Sequence, residues 1–263
     1  MKLMGIIDRQ FIKRPLLRRL VTKLFYGDKD QNIELFTTSF YINTIKENGY
    51  LRASKYALKS SVYKDEAAGL ISLASFITPG TSFIDAGANV GLFSCVFQKF
   101  QHVYNDFKIY AFEANPDTFK RLLKTTEDKN IEVFNVALSD TDKELEFVEG
   151  VVSHVFAEKT HSNSYHLKNQ KTVKIQAKRL DSFDIAGNTI ILKIDVEGYE
   201  YEVLEGARNF FESKRVKAVY LDGFNKKAQI IPFLENYGFD LFEGKTLQPN
   251  PVNNFSLLAL KKQ

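Results

Sequence analysis

From Thr81 onward, short apolar runs alternate with segments that read as helices, and this alternation constrains the fold more than any other feature of the chain. The runs are SFID (82–85), KIYAFE (108–113), IEVFNV (131–136), TIILKID (189–195) and VKAVYLD (216–222). They are apolar nearly throughout, so each strand needs cover on both faces, as in a parallel sheet wrapped by helices. Helices are expected from the first loop to about Phe100, from Pro116 to about Asp128, from Tyr199 to Phe211 and from about Lys226 to Tyr237. FDLFEG (239–244) and NFSLLALK (254–261) are suited to close the sheet as a hairpin pair. The reading is a doubly wound α/β domain over residues 61–263. Residues 144–177 break the rhythm with ELEFVE, a polar stretch and TVKIQA, and read as a β-rich insertion with a surface loop.

The N-terminal part is different. Residues 1–25 hold seven basic side chains and one acid, whereas the rest of the chain holds 29 basic and 31 acidic residues. The alkaline balance thus belongs to an arm and not to the body, which argues against a nucleic-acid enzyme with a basic groove. Within IKRPLLRRLVTKLF (12–25), Leu16, Leu17, Leu20, Val21 and Leu24 fall at helical spacing, with Arg14, Arg18, Arg19 and Lys23 on other faces. Such a helix either packs on the body or lies on an anionic membrane. Residues 33–45 read as one or two strands and 63–77 as a helix, so residues 1–60 form an extension. Nothing approaches the ~20 apolar residues that span a bilayer, and no secretory signal is seen. The cytoplasm is the expected compartment, with peripheral contact at the inner face of the membrane through residues 1–25 as the alternative to packing of that helix on the body. The one cysteine, Cys95, reads as a core residue, as do Phe93 and Phe112.

In open α/β sheets, ligands bind at the carboxyl ends of the strands. The polar residues there are Asp85, Glu113, Asn135, Asp195 and Asp222. The first loop, DAGANVG (85–91), has glycines that allow tight turns and close approach of a ligand. Glu113 ends the next strand, where a carboxylate can accept hydrogen bonds from both hydroxyls of a ribose. Together they indicate a nucleoside-containing cofactor. The dinucleotide fingerprint is absent, and Asp85 would repel a pyrophosphate but suits a cationic ligand. S-adenosylmethionine is favoured over a nicotinamide nucleotide.

The segments SFIDAGANVGLFS, YAFEANPDTFKRL, NVALSD, ILKIDVEGYEYEVLEGA and YLDGFNKKAQIIPFLENYGF, in this order, resemble the FkbM family of class I methyltransferases over roughly residues 60–262. The resemblance implies a seven-stranded Rossmann-like sheet whose last strand is antiparallel. It assigns Asp85, Gly87, Asn89 and Gly91 to the cofactor loop, Glu113 to the ribose, and Asn135 to Ala137 to the segment beside the adenine. Asp195 and Glu197 match the KIDVEG signature beside the methyl-transfer site. It also implies O-methylation of a sugar, glycan, glycolipid or natural product.

Asp195 and Glu197 have two readings: a role at the reacting centre, or a cap on the helix that follows. His154, in the insertion, is a further candidate for the proton acceptor, against an ordinary surface histidine. Asp222 either touches the acceptor or turns the chain with Gly223. The three histidines of the insertion, His154, His161 and His166, lack the spacing of a metal site, and no metal is expected. The rivals are a nucleic-acid methyltransferase, a nicotinamide oxidoreductase and a non-catalytic S-adenosylmethionine-binding protein.

Overall fold

The structure is a computed structural model that describes residues 15–148, 172–249 and 256–262. The chain divides after Lys64 into two compact units. The first unit holds helix α1 (Pro15–Tyr26), strands β1 (Asp30–Leu35) and β2 (Thr38–Asn43), helix α2 (Asn48–Tyr56) and the start of α3 (Ser61–Ala74). β1 and β2 pair as an antiparallel hairpin, from Leu35 opposite Thr38 at the turn to Asp30 opposite Asn43. Alternate residues Ile33 and Leu35 of β1, and Phe40 and Ile42 of β2, are buried, as the two-residue period of a strand requires. Asn43 closes this hairpin. Its side-chain oxygen accepts from the Ile45 and Lys46 N–H groups, and its amide donates to Asp28 and Asp30.

The second unit continues α3 and adds β3 (Thr81–Ala86), α4 (Leu92–Phe97), β4 (Lys108–Phe112), α5 (Pro116–Thr126) and β5 (Glu132–Phe134). Next come β6 (Ala137–Leu138), β7 (Lys143–Val148), β8 (Thr172–Lys178) and β9 (Thr189–Ile194). Then follow α6 (Glu200–Gly206), α7 (Arg208–Glu212), β10 (Val216–Asp222), α8 (Lys227–Asn236), β11 (Phe239–Glu243) and β12 (Ser256–Lys261). Seven strands form one sheet in the order β11-β12-β10-β9-β3-β4-β5. β12 runs antiparallel to both neighbours, and the other pairs are parallel. This is the doubly wound, mostly parallel sheet expected from the run pattern.

Adjacent residues of β3 show why both faces need helices. Phe83 makes an edge contact with Phe97 of α4, with centroids 4.8 Å apart. Its neighbour Ile84 joins the cluster of Leu192 and Ile194 with Val203 and Leu204 of α6 and Phe211 of α7. Phe93, Phe112 and Cys95 are buried, and burial pushes the Cys95 thiol up to about 12, so it is an inert core group.

Three elements differ from the sequence reading. The third strand stops at Phe134, and the chain passes at Asn135 into a separate three-stranded sheet, β6-β8-β7. The insertion therefore begins near Ala137, not 144, and its polar stretch, His154 included, lies outside the described residues. The single helix expected over 199–211 is two short ones, broken at Ala207, whose backbone leaves the helical region. α4 is likewise shorter than expected and passes into a tighter helical stretch at Gln98–His102.

Candidate active site

The sheet brings the ends of β3, β4, β9 and β10 side by side. Asp85, the penultimate residue of β3, is directly opposite Lys193 of β9 in the parallel register. Both are buried. Asp85 Oδ2 accepts from the Ser94 hydroxyl at 2.7 Å and from the Ser94 N–H at 3.2 Å. It thereby satisfies one of the free N–H groups in the first turn of α4, where the helix dipole favours an anion. Oδ1 lies 3.1 Å from Lys193 Nζ, an ion pair rather than an aligned hydrogen bond. Asp85 is thus buried with Oδ2 hydrogen-bonded to Ser94 and Oδ1 paired with Lys193. Asp85 acts through the loop it holds.

That loop, between β3 and α4, is strained at the required places. Gly87 has φ +76, Asn89 φ +52 and Gly91 φ +89. A Cβ on Gly87 would stand 1.9 Å from the Asp195 carbonyl oxygen, so only glycine fits. The Gly87 and Ala88 N–H groups both donate to the Phe112 carbonyl, which ties the loop to β4. The Gly87 carbonyl accepts from Lys193 Nζ at 2.8 Å.

Glu113 follows β4. One oxygen accepts from the Asn89 N–H at 2.9 Å and the other from the Asn115 N–H at 2.8 Å. Asn115 in turn caps α5 by accepting from Asp117 and Thr118, with Pro116 in the first turn. The Glu113 carboxylate is thus aimed by two backbone groups, and each oxygen keeps a second acceptor position. Burial raises its carboxyl to about 7, against the opposing hydrogen bonds from Asn115 and Asn89. A pair of vicinal hydroxyls fits this carboxylate. Asn135, exposed, donates from its side chain to the Glu113 carbonyl at 2.8 Å and the Ala114 carbonyl at 3.2 Å. Ala137 is buried with Leu145, Ile175 and Ala177 of the insertion sheet, so its side chain is spent on packing.

Asp195 follows β9, its N–H donating to the Ala86 carbonyl. Its carboxylate lies 3.9 Å from Lys193 Nζ, and 39% of its side chain is open. Its carboxyl is raised to about 7, first by loss of water at the strand ends and then by repulsion from Asp222, Glu197 and Asp85, with Lys193 opposing. Glu197 is exposed with φ +55. The carboxylate that reaches back to the start of α6 is that of buried Glu200, which accepts from the Gly198 N–H at 2.7 Å. Asp222 ends β10. Burial raises its carboxyl, Lys245 and Lys193 lower it, and Asp65 raises it.

Lys193 is the residue that the sequence reading passed over. It stands alone in an otherwise apolar run, and that isolation is the signal that would have found it. Carboxylates dominate the rest of the crevice, from Glu113 through Asp195 and Glu197 to Asp222, which suits a sulfonium and an ammonium. The chemistry of the residues present therefore fits S-adenosylmethionine: a carboxylate at Glu113 aimed by two N–H groups, and a glycine loop at Gly87–Gly91 that lets a ligand approach.

Sheet order, glycine loop and paired strand-end acids define a class I S-adenosylmethionine-dependent methyltransferase. The chain belongs to the FkbM methyltransferase family: the methyltransferase FkbM domain matches residues 85–241. Its cofactor is S-adenosylmethionine. The hexuronic acid methyltransferase AglP of Haloferax volcanii is 30% identical over 132 residues, which are 49% of this chain and 51% of that protein. The chain thus spans about half the length of this relative. Among solved structures, a TehB-like SAM-dependent methyltransferase from Corynebacterium glutamicum has a TM-score of 0.41 at 13% identity, over 83% of this chain and 98% of that one. TYW2 of P. horikoshii in complex with MeSAdo has a TM-score of 0.40 at 11% identity, over 90% and 72%. Scores this low carry no weight beside the family match.

A first prediction concerns Glu113. Glu113→Ala should weaken S-adenosylhomocysteine binding by about 1.5–3 kcal/mol for each hydrogen bond lost to the charged group, less what water recovers. In the wild type, affinity should fall as pH drops through about 7, because protonation removes the charge that the ribose hydroxyls donate to. Calorimetry across pH 5.5–8.5 checks both (the range brackets about one unit or more on each side of that midpoint). An unchanged affinity in a folded variant would remove Glu113 from the ribose site.

Proposed function

We propose that this enzyme transfers the methyl group to a hydroxyl of a sugar within a glycan or glycolipid, with Asp195 as acceptor of the hydroxyl proton. The observation that carries this reading is the Asp195 carboxyl, half-open at the end of β9 and raised to about 7. A base that titrates near the working pH is matched to take a proton as the new bond forms. S-adenosylmethionine supplies an electrophilic methyl group on a sulfonium. Asp85, Gly87, Asn89 and Gly91 hold the loop beside it, Glu113 takes the ribose hydroxyls, and Asn135 with the backbone to Ala137 borders the adenine. Glu197 and Asp222 line the acceptor side. Much of the acceleration comes from alignment of the two reactants, which the short loops at the strand ends provide. As the acceptor oxygen bonds to the methyl carbon, its proton passes to Asp195 and the thioether leaves.

The relative whose name specifies hexuronic acid supports a sugar acceptor. The test is transfer of radiolabelled methyl from S-adenosylmethionine to glucuronic-acid-bearing oligosaccharides. An alkali-stable methyl ether on the sugar is the expected product. An alkali-labile ester, or label found in RNA and not in glycan, would replace this reading.

We also infer that the N-terminal arm binds an anionic membrane from the cytoplasmic side. In α1, Leu20, Leu24 and Phe25 are 65%, 79% and 50% exposed, beside exposed Lys23. Among the described residues no helix is long and apolar enough to cross a membrane. Each basic residue near an anionic surface adds about 1 kcal/mol, falling with salt. Full-length protein should cosediment with phosphatidylserine-containing vesicles at low salt, and a chain lacking residues 1–25 should not. Equal partitioning of the two would leave the arm without a role at membranes.

A further inference from the structure

Lys193 has more partners across the site than any mechanism of cofactor binding alone requires. Its ammonium is buried, with the Gly87 carbonyl at 2.8 Å, Asp85 at 3.1 Å and Asp195 at 3.9 Å. These three groups belong to the cofactor loop, the end of β3 and the end of β9. The Phe93 ring lies 5.5 Å from the same nitrogen and closes one side. Glu66 of α3 also acts on it, and Lys193 in turn acts on Glu113 and Asp222.

We propose that Lys193 is the positioning residue of this active site: one buried cation fixes the cofactor loop through Gly87 and Asp85 and, through its third contact, favours the ionised form of Asp195. The geometry explains why a lysine stands in the middle of an apolar strand. A buried ammonium carries a large desolvation cost unless it is paired, and here the pairing extends to both halves of the reaction. Burial alone would lower its tendency to hold a proton, and the carboxylates of Asp85 and Asp195 more than reverse this, so it is charged at any working pH. The carboxylates that face Asp195 are Asp222, Glu197 and Asp85, and all of them push it towards the protonated form. Lys193 is the cation that opposes them. Its kinetic meaning rests on Asp195 as the proton acceptor, but the electrostatic link does not.

The test is an NMR titration of full-length protein labelled with 13C-aspartate, with the Asp195 resonance assigned by its loss in Asp195→Asn. In Lys193→Met the Asp195 midpoint should move up by about one unit or more, as for any carboxylate that loses a cation at this distance. S-adenosylhomocysteine affinity, measured by calorimetry, should fall about tenfold as the loop loses its anchor. Lys193→Met leaves Asp85 buried and unpaired. If that variant does not fold, Lys193→Met combined with Asp85→Asn removes both buried charges, and its Asp195 midpoint is compared with that of Asp85→Asn alone, because Asp85 itself pushes Asp195 up. An Asp195 midpoint that stays where it is in the wild type would overturn the proposal, even if stability fell. Turnover on sugars plays no part in this measurement, so failure of the acceptor assignment would leave it intact.

Discussion

Asp195→Asn should lower turnover by about 10²–10⁴-fold while S-adenosylhomocysteine affinity stays within a few-fold. The amide keeps the shape and the neighbours of the carboxylate but cannot take a proton. The effect should therefore appear in kcat at saturating cofactor and not in cofactor binding. The pH dependence follows with a definite sign. The carboxyl is raised to about 7, so the ionised form that accepts a proton is depleted below that pH. Wild-type kcat should rise as pH passes upward through about 7, and Asp195→Asn should lose that limb. The Glu113 carboxyl is also raised to about 7, but in the role proposed for it that carboxyl acts on cofactor affinity, so saturating cofactor separates the two. Stability has the opposite sign. A carboxyl raised in the folded state stabilises the fold most below its unfolded value, and this contribution is lost as pH rises through about 7. Above pH 7, Asp195→Asn should melt no lower than the wild type. Retained turnover would make Asp195 part of the scaffold and leave Glu197 as the carboxylate to examine.

The alternation of apolar runs and helices made the sheet legible because both faces of each strand are covered, as Phe83 and Ile84 show. It also placed Asp85, Glu113, Asp195 and Asp222 at strand ends, since an acid that terminates an apolar run has nowhere else to go. What each carboxylate does there was not legible. Asp85 looks like a ligand group in the sequence, but its partner is Lys193, and that pairing depends on the register of two strands distant in the chain. A register leaves no trace in the spacing of either run. Glu113 gained the Asn89 N–H from a loop 24 residues earlier, which local pattern does not encode. β6 is too short to show any period, so the passage from Asn135 into a second sheet was read as the end of the third strand. Glu200 accepts from the Gly198 N–H before α6, because its side chain folds back over its own turn, and nothing in the spacing of the run announces that contact.

Gly87→Ala should abolish measurable cofactor binding, whereas Gly223→Ala should leave it unchanged. Both glycines have positive φ, +76 and +85. An L-residue in that region costs about 1–2 kcal/mol wherever it occurs. At Gly223 nothing lies within 4 Å of the added Cβ, so that cost is all, and the melting temperature should drop by a few degrees. At Gly87 the Cβ would meet the Asp195 carbonyl oxygen at 1.9 Å and its carbon at 2.8 Å. Neither is the end of a flexible side chain. The loop or β9 must move, and the loop is held by the Phe112 carbonyl and by Lys193. Displacement of the loop pulls the Asn89 N–H from Glu113, and that carboxylate loses one of the two groups that aim it. An S-adenosylhomocysteine affinity reduced at least about 100-fold, equivalent to roughly 2.7 kcal/mol, is expected for Gly87→Ala. Calorimetry beside thermal melting separates the outcomes. Binding losses of similar size in the two variants would mean that positive φ alone, and not the contact with Asp195, makes Gly87 necessary.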